Sequence, residues 1–364
     1  MKNLSLEKIF LSSKQVSLIC GRGLAPLPRL APGLFAGADK FCLVTDRNCL
    51  RTFKRGFTTM MGSAAGRTVV FEAPKGGSAK NFKTLERLLA FMLKNGVSRR
   101  SLIVAAGGGS VTDLAGLAAA LYMRGIKWVS VPTTLLGQAD AGIGGKTAVD
   151  LRGVKNIAGA FHQPALTVCD TAFLDTLNGN ELRAGAGELI KYALIASGKL
   201  GRTVLKNLPA ALKGGKKELA AVVSSCAAFK LDLVSRDERE ETGLREILNF
   251  GHTAGHAFEA ASKGSLSHGD AVLWGMRYAA MLSYSLGIMD RKQAPVVQAA
   301  LQATEPPTLK NAALDFDSFS RLISSDKKAG AHANRFILIV RPGVLKTIND
   351  IPAGVLKRCL RELA

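Results

Sequence analysis

Between residues 41 and 170, short apolar runs alternate with stretches of helical periodicity, and few folds can accept that alternation. FCLVTD (41–46), RTVVFEA (67–73), SLIVAAGGG (101–109), KWVSVPTT (127–134) and ALTVCD (165–170) read as strands. KNFKTLERLLAFMLKNG (80–96) and SVTDLAGLAAALYMRG (110–125) read as helices between them, the second opened by Ser110 as cap. Such spacing implies a parallel sheet covered on both faces, because each crossover helix lies over the strands it connects. After about residue 174 the pattern changes. ELRAGAGELIKYALIASG, KKELAAVVSSCAAFKLDLV, ILNFGHTAGHAFEAAS and GDAVLWGMRYAAMLSYSLG all repeat at helical spacing, and RFILIVRPG (335–343) is the one late strand-like run. The expected fold is an α/β nucleotide-binding domain with a parallel sheet over residues 1–174, then a mostly α-helical domain over 175–364. The functional cleft is expected between them.

At 364 residues, 47% hydrophobic and 21% charged, the chain has apolar material for two cores and lacks the composition of a disordered one. Lys and Arg (49) outnumber Asp and Glu (28), a formal charge of +21. The basic residues are scattered and aromatics make up only 6%, which argues against nucleic acid and leaves acidic small substrates or a solvated basic surface. Cys20, Cys42, Cys49, Cys169, Cys226 and Cys359 are dispersed without a CxxC pair. Cys42 and Cys169 fall in strand-like runs, the setting of buried free thiols in a reducing cytoplasm. Charges interrupt the N-terminus, which lacks a signal peptide's apolar core, and no run has the length and apolarity of a membrane span.

Three segments carry chemistry. In SLIVAAGGGSVTDLAG, glycines after a buried strand let phosphate oxygens approach backbone N–H groups at a helix N-terminus, with Asp113 in the first helical turn. A glycine-rich structural turn is the plainer alternative. VPTTLLGQADAGIGGKTAVDLRGVKNIAGAF sets Asp140, Lys146, Lys155 and Asn156 among glycines, a composition suited to phosphate and hydroxyl groups rather than to a core. Arg245, Asn249, His252 and His256 recur at i, i+4, i+7 and i+11, which projects them at roughly 0°, 40°, 340° and 20° on one helix. His-x-x-x-His on one face suits a metal, but Thr253 stands where a metalloprotease's HExxH has its glutamate. His268, in the loop-like LSHGDAV, and Glu188 are candidates to complete the set. Glu188 reads equally as the partner of Lys191 in an i,i+3 ion pair. His162 and His332 stand isolated.

Taken in order, GGGSVTDLAG, YMRGI, VPTTLL, GGKTAVD, KNIAGAFHQP, GELIKYALI, LNFGHTAGHAFEA, LSHGDAV and DKKAG resemble the 3-dehydroquinate synthase family of sugar-phosphate cyclases across roughly residues 40 to 345. The resemblance implies a cytoplasmic homodimer that uses NAD and Zn2+ (or Co2+). Its substrate would be a phosphorylated sugar acid, 3-deoxy-D-arabino-heptulosonate 7-phosphate, converted to 3-dehydroquinate and phosphate in aromatic amino-acid biosynthesis. The route is transient oxidation, phosphate elimination, re-reduction and aldol closure. Carried over residue by residue, the metal ligands fall on Glu188, His252 and His268. Asp140 would hold substrate hydroxyls. Lys146, Asn249 and His256 would surround the phosphate, with Arg124 reaching in from a partner subunit. Lys230, Arg245 and Lys327 would hold the substrate carboxylate. Cofactor contacts map to Asp46, Lys80, Gly108, Gly109, Asp113, Thr133, Thr134, Lys155 and Thr176.

The chain also departs from the family pattern. Gly76-Gly77-Ser78-Ala79-Lys80 stands where the family reads Gly-Glu-x-x-Lys, so the acid that meets the adenosine ribose is missing. Thr112 replaces a glycine near the cofactor, and Asp150 stands where Asn is usual. A related cyclase acting on sedoheptulose 7-phosphate would not need the carboxylate-binding set, and a metal-dependent polyol dehydrogenase would need neither that set nor the phosphate set.

Overall fold

The computed structural model describes residues 5–11, 14–196, 198–310, 315–324 and 334–363. Lys327 and His332 lie outside the described residues. The chain divides into two compact units, Met1–Asn178 with Lys230–Arg239, and Gly179–Phe229 with Glu240–Ala364.

The first unit contains β1 (Ser5–Leu11), β2 (Lys14–Gly21), β3 (Phe41–Asp46), β4 (Thr68–Ala73), β5 (Leu102–Gly107), β6 (Lys127–Pro132), β7 (Lys146–Leu151), β8 (Val154–Phe161) and β9 (Leu166–Asp170). Its helices are α1 (Leu27–Leu30), α2 (Pro32–Ala36), α3 (Arg47–Met61), α4 (Phe82–Lys94) and α5 (Gly109–Leu121). The main sheet runs β1-β2-β9-β6-β5-β3-β4. All its pairings are parallel except the β1–β2 edge. Along β3, Cys42 and Val44 enter one core with Ile103, Leu88 and Leu114, while Phe41 and Leu43 enter the other with Leu102, Val129 and Leu166. Alternate side chains therefore feed opposite faces, which is why the strand reads as an unbroken apolar run. Burying each such large side chain contributes about 1.5–3 kcal/mol.

The strand expectations of the first half hold to within a residue or two at most ends, and four further strands went unannounced. β1 and β2 form an antiparallel edge at the N-terminus. The glycine-rich stretch after residue 145, expected as a segment suited to phosphate and hydroxyl groups with no secondary structure assigned, is the antiparallel hairpin β7–β8. Nearly all of β8 is exposed, so no buried face imposes an apolar alternation on it. Two details at α5 also differ from expectation. Its cap is Gly108, with no capping side chain, so Ser110 lies inside the first turn and Asp113 just beyond it.

The second unit is built from α6 (Gly179–Ile195), α7 (Gly198–Leu212), α8 (Lys216–Arg236), α9 (His252–Ala261), α10 (His268–Ser285), α11 (Ala294–Leu301), α12 (Phe316–Ser324) and α13 (Ala353–Glu362). The last part of α8 groups with the first unit. β10 (Arg335–Arg341) pairs with β11 (Val344–Asn349), a partner strand the sequence did not announce. Two glycine contacts draw three helices together. A Cβ on Gly269 would lie 1.6 Å from the Ala184 carbonyl oxygen, so α6 and α10 touch backbone to backbone. A Cβ on Gly275 would lie 1.9 Å from the Gly251 oxygen, which brings the start of α9 against α10.

The expected single helix carrying Arg245 to His256 is broken. Leu244–Asn249 is a 3-10 turn, and Gly251 at φ 80° precedes the first residue of α9. Only His252 and His256 share a helix. His268, expected in a loop, is the first residue of α10, whose cap Ser267 accepts from the Asp270 N–H at 3.2 Å.

Candidate metal centre and surrounding clusters

The glycine contacts decide which side chains meet in the second unit. Glu188 follows Gly187 on α6, His268 precedes Gly269 on α10, and His252 follows Gly251 at the head of α9. One donor atom each from Glu188, His252 and His268 lies within 4.8 Å of the other two. Glu188 Oε1 is 3.6 Å from His252 Nε2 and 3.5 Å from His268 Nε2. These separations are long for hydrogen bonds. They match the roughly 3.4 Å between neighbouring donors that each sit about 2.1 Å from a tetrahedral metal. The residues fit a divalent metal.

Both imidazoles aim Nε2 at Glu188 and turn Nδ1 to another acceptor. His252 Nδ1 is 3.3 Å from the Phe250 carbonyl oxygen, and His268 Nδ1 is 3.2 Å from Glu259 Oε2. The other oxygen of Glu188 meets Lys191 Nζ, and both side chains are almost fully buried. The two readings of Glu188 are thus compatible, one oxygen serving each. Burial works against charge on His268, but Glu188 and Glu259 outweigh it and push its pKa up to about 9. His256 stands beside the triad, its ring centroid 5.4 Å from that of His252 and 5.9 Å from that of His268, and it is exposed. Arg245 is 1% exposed, with Nε 3.6 Å from Glu240 Oε1. Asn249, half-buried, ends the 3-10 turn.

In the first unit the chemistry gathers in two places. Lys230 Nζ lies 2.7 Å from Asp140 Oδ1 and donates to the Asp140 carbonyl at 2.8 Å. Lys80 Nζ lies 2.5 Å from Asp113 Oδ2 and also meets Asn156 Oδ1. Burial lifts the Asp113 carboxyl above its ordinary value, while Lys80 and Lys230 pull it back. Close by in the chain, Gly108 opens α5, and a Cβ there would lie 3.2 Å from Thr134 Cγ2. Gly109 is the first residue of that helix, and its N-terminal N–H groups compete with no capping side chain. That arrangement suits the pyrophosphate of a dinucleotide. Thr133 is buried with Oγ1 3.3 Å from Cys49 Sγ.

Other expected residues have different surroundings. Asp46 caps α3, accepting from the N–H groups of Asn48 and Cys49. Thr176 donates to the Phe173 carbonyl on an exposed turn. Lys146, Lys155 and Arg124 are exposed, Arg124 with φ 65°. Sequence reasoning missed Glu259. Its signal was present, since it continues the helical face of His252 and His256 at i+7 and i+3.

A sequence model of the 3-dehydroquinate synthase N-terminal region matches residues 70–184, and that of the C-terminal region matches residues 185–329. The 3-dehydroquinate synthase of Bradyrhizobium diazoefficiens is 36% identical over 365 residues, which cover 97% of this chain and 95% of the relative. A crystal structure of 2-deoxy-scyllo-inosose synthase, complexed with carbaglucose-6-phosphate, NAD+ and Co2+, has a TM-score of 0.87 at 25% identity, with 98% of this chain and 99% of that one covered. The 2-epi-5-epi-valiolone synthase of Streptomyces hygroscopicus, with NAD+ and Zn2+ bound, has a TM-score of 0.82 at 25% identity, with 99% of each chain covered. With both regions of one family matched in order and a full-length relative above one-third identity, the chain belongs to the 3-dehydroquinate synthase family.

Proposed function

We propose that the chain converts 3-deoxy-D-arabino-heptulosonate 7-phosphate to 3-dehydroquinate and phosphate, using NAD and a divalent metal, Zn2+ or Co2+. The observation that carries the reading is the triad Glu188, His252 and His268 at ligand spacing, inside a chain of this family. When bound, the metal supplies Lewis-acid polarisation of a substrate oxygen and NAD supplies a reversible hydride acceptor. Residues of the chain do the rest. Glu188, His252 and His268 hold the metal, and Lys191 fixes the spare oxygen of Glu188. Asp140 and Lys230, already paired, present a carboxylate to hydroxyls and an ammonium to the substrate carboxylate. Arg245 and Lys327 complete the carboxylate set. Lys146, Asn249 and His256 hold the phosphate, and the exposed ring of His256 can carry a proton to it.

Asp46, Lys80, Gly108, Gly109, Asp113, Thr133, Thr134, Lys155 and Thr176 bind the dinucleotide, its phosphates lying on the amides that open α5. We assign nucleotide binding to residues 1–174 and metal binding to 175–364. A homodimer would bring Arg124 to the partner's phosphate group, and the exposure of Arg124 is compatible with that role. Six free cysteines are compatible with a cytoplasmic setting. Among the described residues no helix is long and apolar enough to cross a membrane.

The test is direct. Pure protein with this substrate, NAD+ and Zn2+ should release phosphate and form 3-dehydroquinate in equal amounts. Turnover of sedoheptulose 7-phosphate alone, or oxidation of a polyol without phosphate release, would overturn the assignment.

A further inference from the structure

We infer that Glu259 is a positioning residue for the metal centre, fixing the tautomer and orientation of His268. The inference rests on the proposed metal role of Glu188, His252 and His268. A neutral imidazole has one N–H, and a ring that gives Nε2 to a metal must carry that hydrogen on Nδ1. His268 satisfies the geometry on both sides: Nε2 lies 3.5 Å from Glu188 Oε1, and Nδ1 lies 3.2 Å from Glu259 Oε2. A carboxylate accepting from Nδ1–H aims the ring and makes the opposite nitrogen a stronger donor.

The two imidazoles are not equivalent. The Nδ1 partner of His252 is the carbonyl of Phe250, a neutral acceptor from its own chain segment. His268 instead depends on a side chain from another helix, and a carboxylate at that. Glu259 sits on α9 beyond His256, its side chain only 16% exposed, so the size-matched Glu259→Gln is the variant that keeps the packing while changing the acceptor. It also ties the head of α10 to the helix that carries His252.

The experiment measures Co2+ affinity of the full chain by chelator competition, together with the visible d–d spectrum, for wild type, Glu259→Ala and Glu259→Gln. Glu259→Ala is expected to weaken Co2+ binding about 10–100-fold and to shift the spectrum. Glu259→Gln, whose amide oxygen can accept the same N–H without charge, should restore much of the affinity. Wild-type affinity and an unchanged spectrum in Glu259→Ala would overturn the inference and leave the metal reading standing. A wild type that takes up no Co2+ would overturn the metal reading itself. If Glu259→Ala does not fold, 15N NMR of His268 in the Zn2+-loaded wild type decides. Nδ1–H with a coordinated Nε2 supports the inference, and the reverse arrangement defeats it.

Discussion

Around Glu188 the polar side chains are turned toward a common point at ligand spacing, while around Asp113 they are turned toward each other. Glu188, His252 and His268 each have a second contact that orients them: Lys191, the Phe250 carbonyl and Glu259. Lys80, Asp113 and Asn156 instead satisfy one another, and Asp46 spends its carboxylate on a helix cap. A metal needs several charged or polarisable donors fixed within tenths of an ångström, and the side-chain geometry of the helical unit fits the metal role proposed for it. A dinucleotide's phosphates can be held by backbone N–H groups, and the strand–glycine–helix turn of the α/β unit, with its charges paired, fits the nucleotide role proposed for it. The contrast teaches that substitutions at the first cluster should act as all-or-none and those at the second as graded.

The largest expected effect lies at Glu188. Glu188→Gln keeps the size, removes the anionic donor and leaves Lys191, 1% exposed, without its counter-charge. Zn2+ retention should be lost and phosphate release should fall about 10³-fold, several kcal/mol of transition-state stabilisation. Stability should also fall by about 3–5 kcal/mol, as when one partner of a buried ion pair is removed. The double variant Glu188→Gln with Lys191→Met should regain stability without regaining metal, which separates the two roles of the carboxylate. Stoichiometric Zn2+ in Glu188→Gln, measured by elemental analysis after dialysis, would break the comparison at its stronger end.

A smaller and graded effect is expected at Lys80. Lys80→Met should raise the dissociation constant of NAD+ about tenfold, the scale of one lost charge-assisted hydrogen bond, and leave Zn2+ content unchanged. It also exposes the pH behaviour of Asp113. Burial raises the folded pKa of that carboxyl, and removing Lys80 raises it further. A group whose folded pKa is raised contributes stability below its unfolded pKa and loses it as pH rises through the folded value. The variant should therefore be penalised most at neutral pH and approach wild type in melting temperature below about pH 4. A constant difference across that range would show that Asp113 does not carry the effect.

How much of this was readable follows from where burial imposes a pattern. β3 and β5 are buried along their whole length and read directly as apolar runs. β8 is largely exposed, and its large apolar residues Val154, Ile157 and Phe161 recur three and four apart rather than two, so its pattern did not report a strand. The Arg245–His256 spacing imitated one helix, but Gly251 lies in it at φ 80°, and an added Cβ there would meet Met276 Cγ at 2.4 Å. A glycine just before the first histidine was the available warning. The helical start of His268 was also written in the sequence, as Ser267 followed three residues later by Asp270, the pattern of a capping box. The candidate metal triad was legible mainly through the family resemblance, because Glu188 lies on a helix far from His252 and His268 in the chain and glycine contacts bring it to them.

The smallest effect lies at Gly77, where the missing family acid gives the comparison its finest test. Gly76 has φ 63° and needs glycine, whereas an added Cβ on Gly77 would meet nothing within 4 Å and its φ lies outside the left-handed region. Gly77→Glu can therefore add a side chain without bending the Gly76–Ala79 turn. If the acid is what the nucleotide pocket lacks, NAD+ should bind about fivefold more tightly, close to 1 kcal/mol for one recovered hydrogen bond to a ribose hydroxyl. Gly77→Gln should recover less, since an uncharged acceptor gives a weaker bond. Melting temperature and Zn2+ content should not change, because the residue is exposed and belongs to the α/β unit. Calorimetric titration of the two variants with NAD+ checks the outcome. Equal affinity in both and in the wild type would mean that backbone contacts at the α5 turn already set the binding, and that the acid lost from the sequence was never a determinant in this chain.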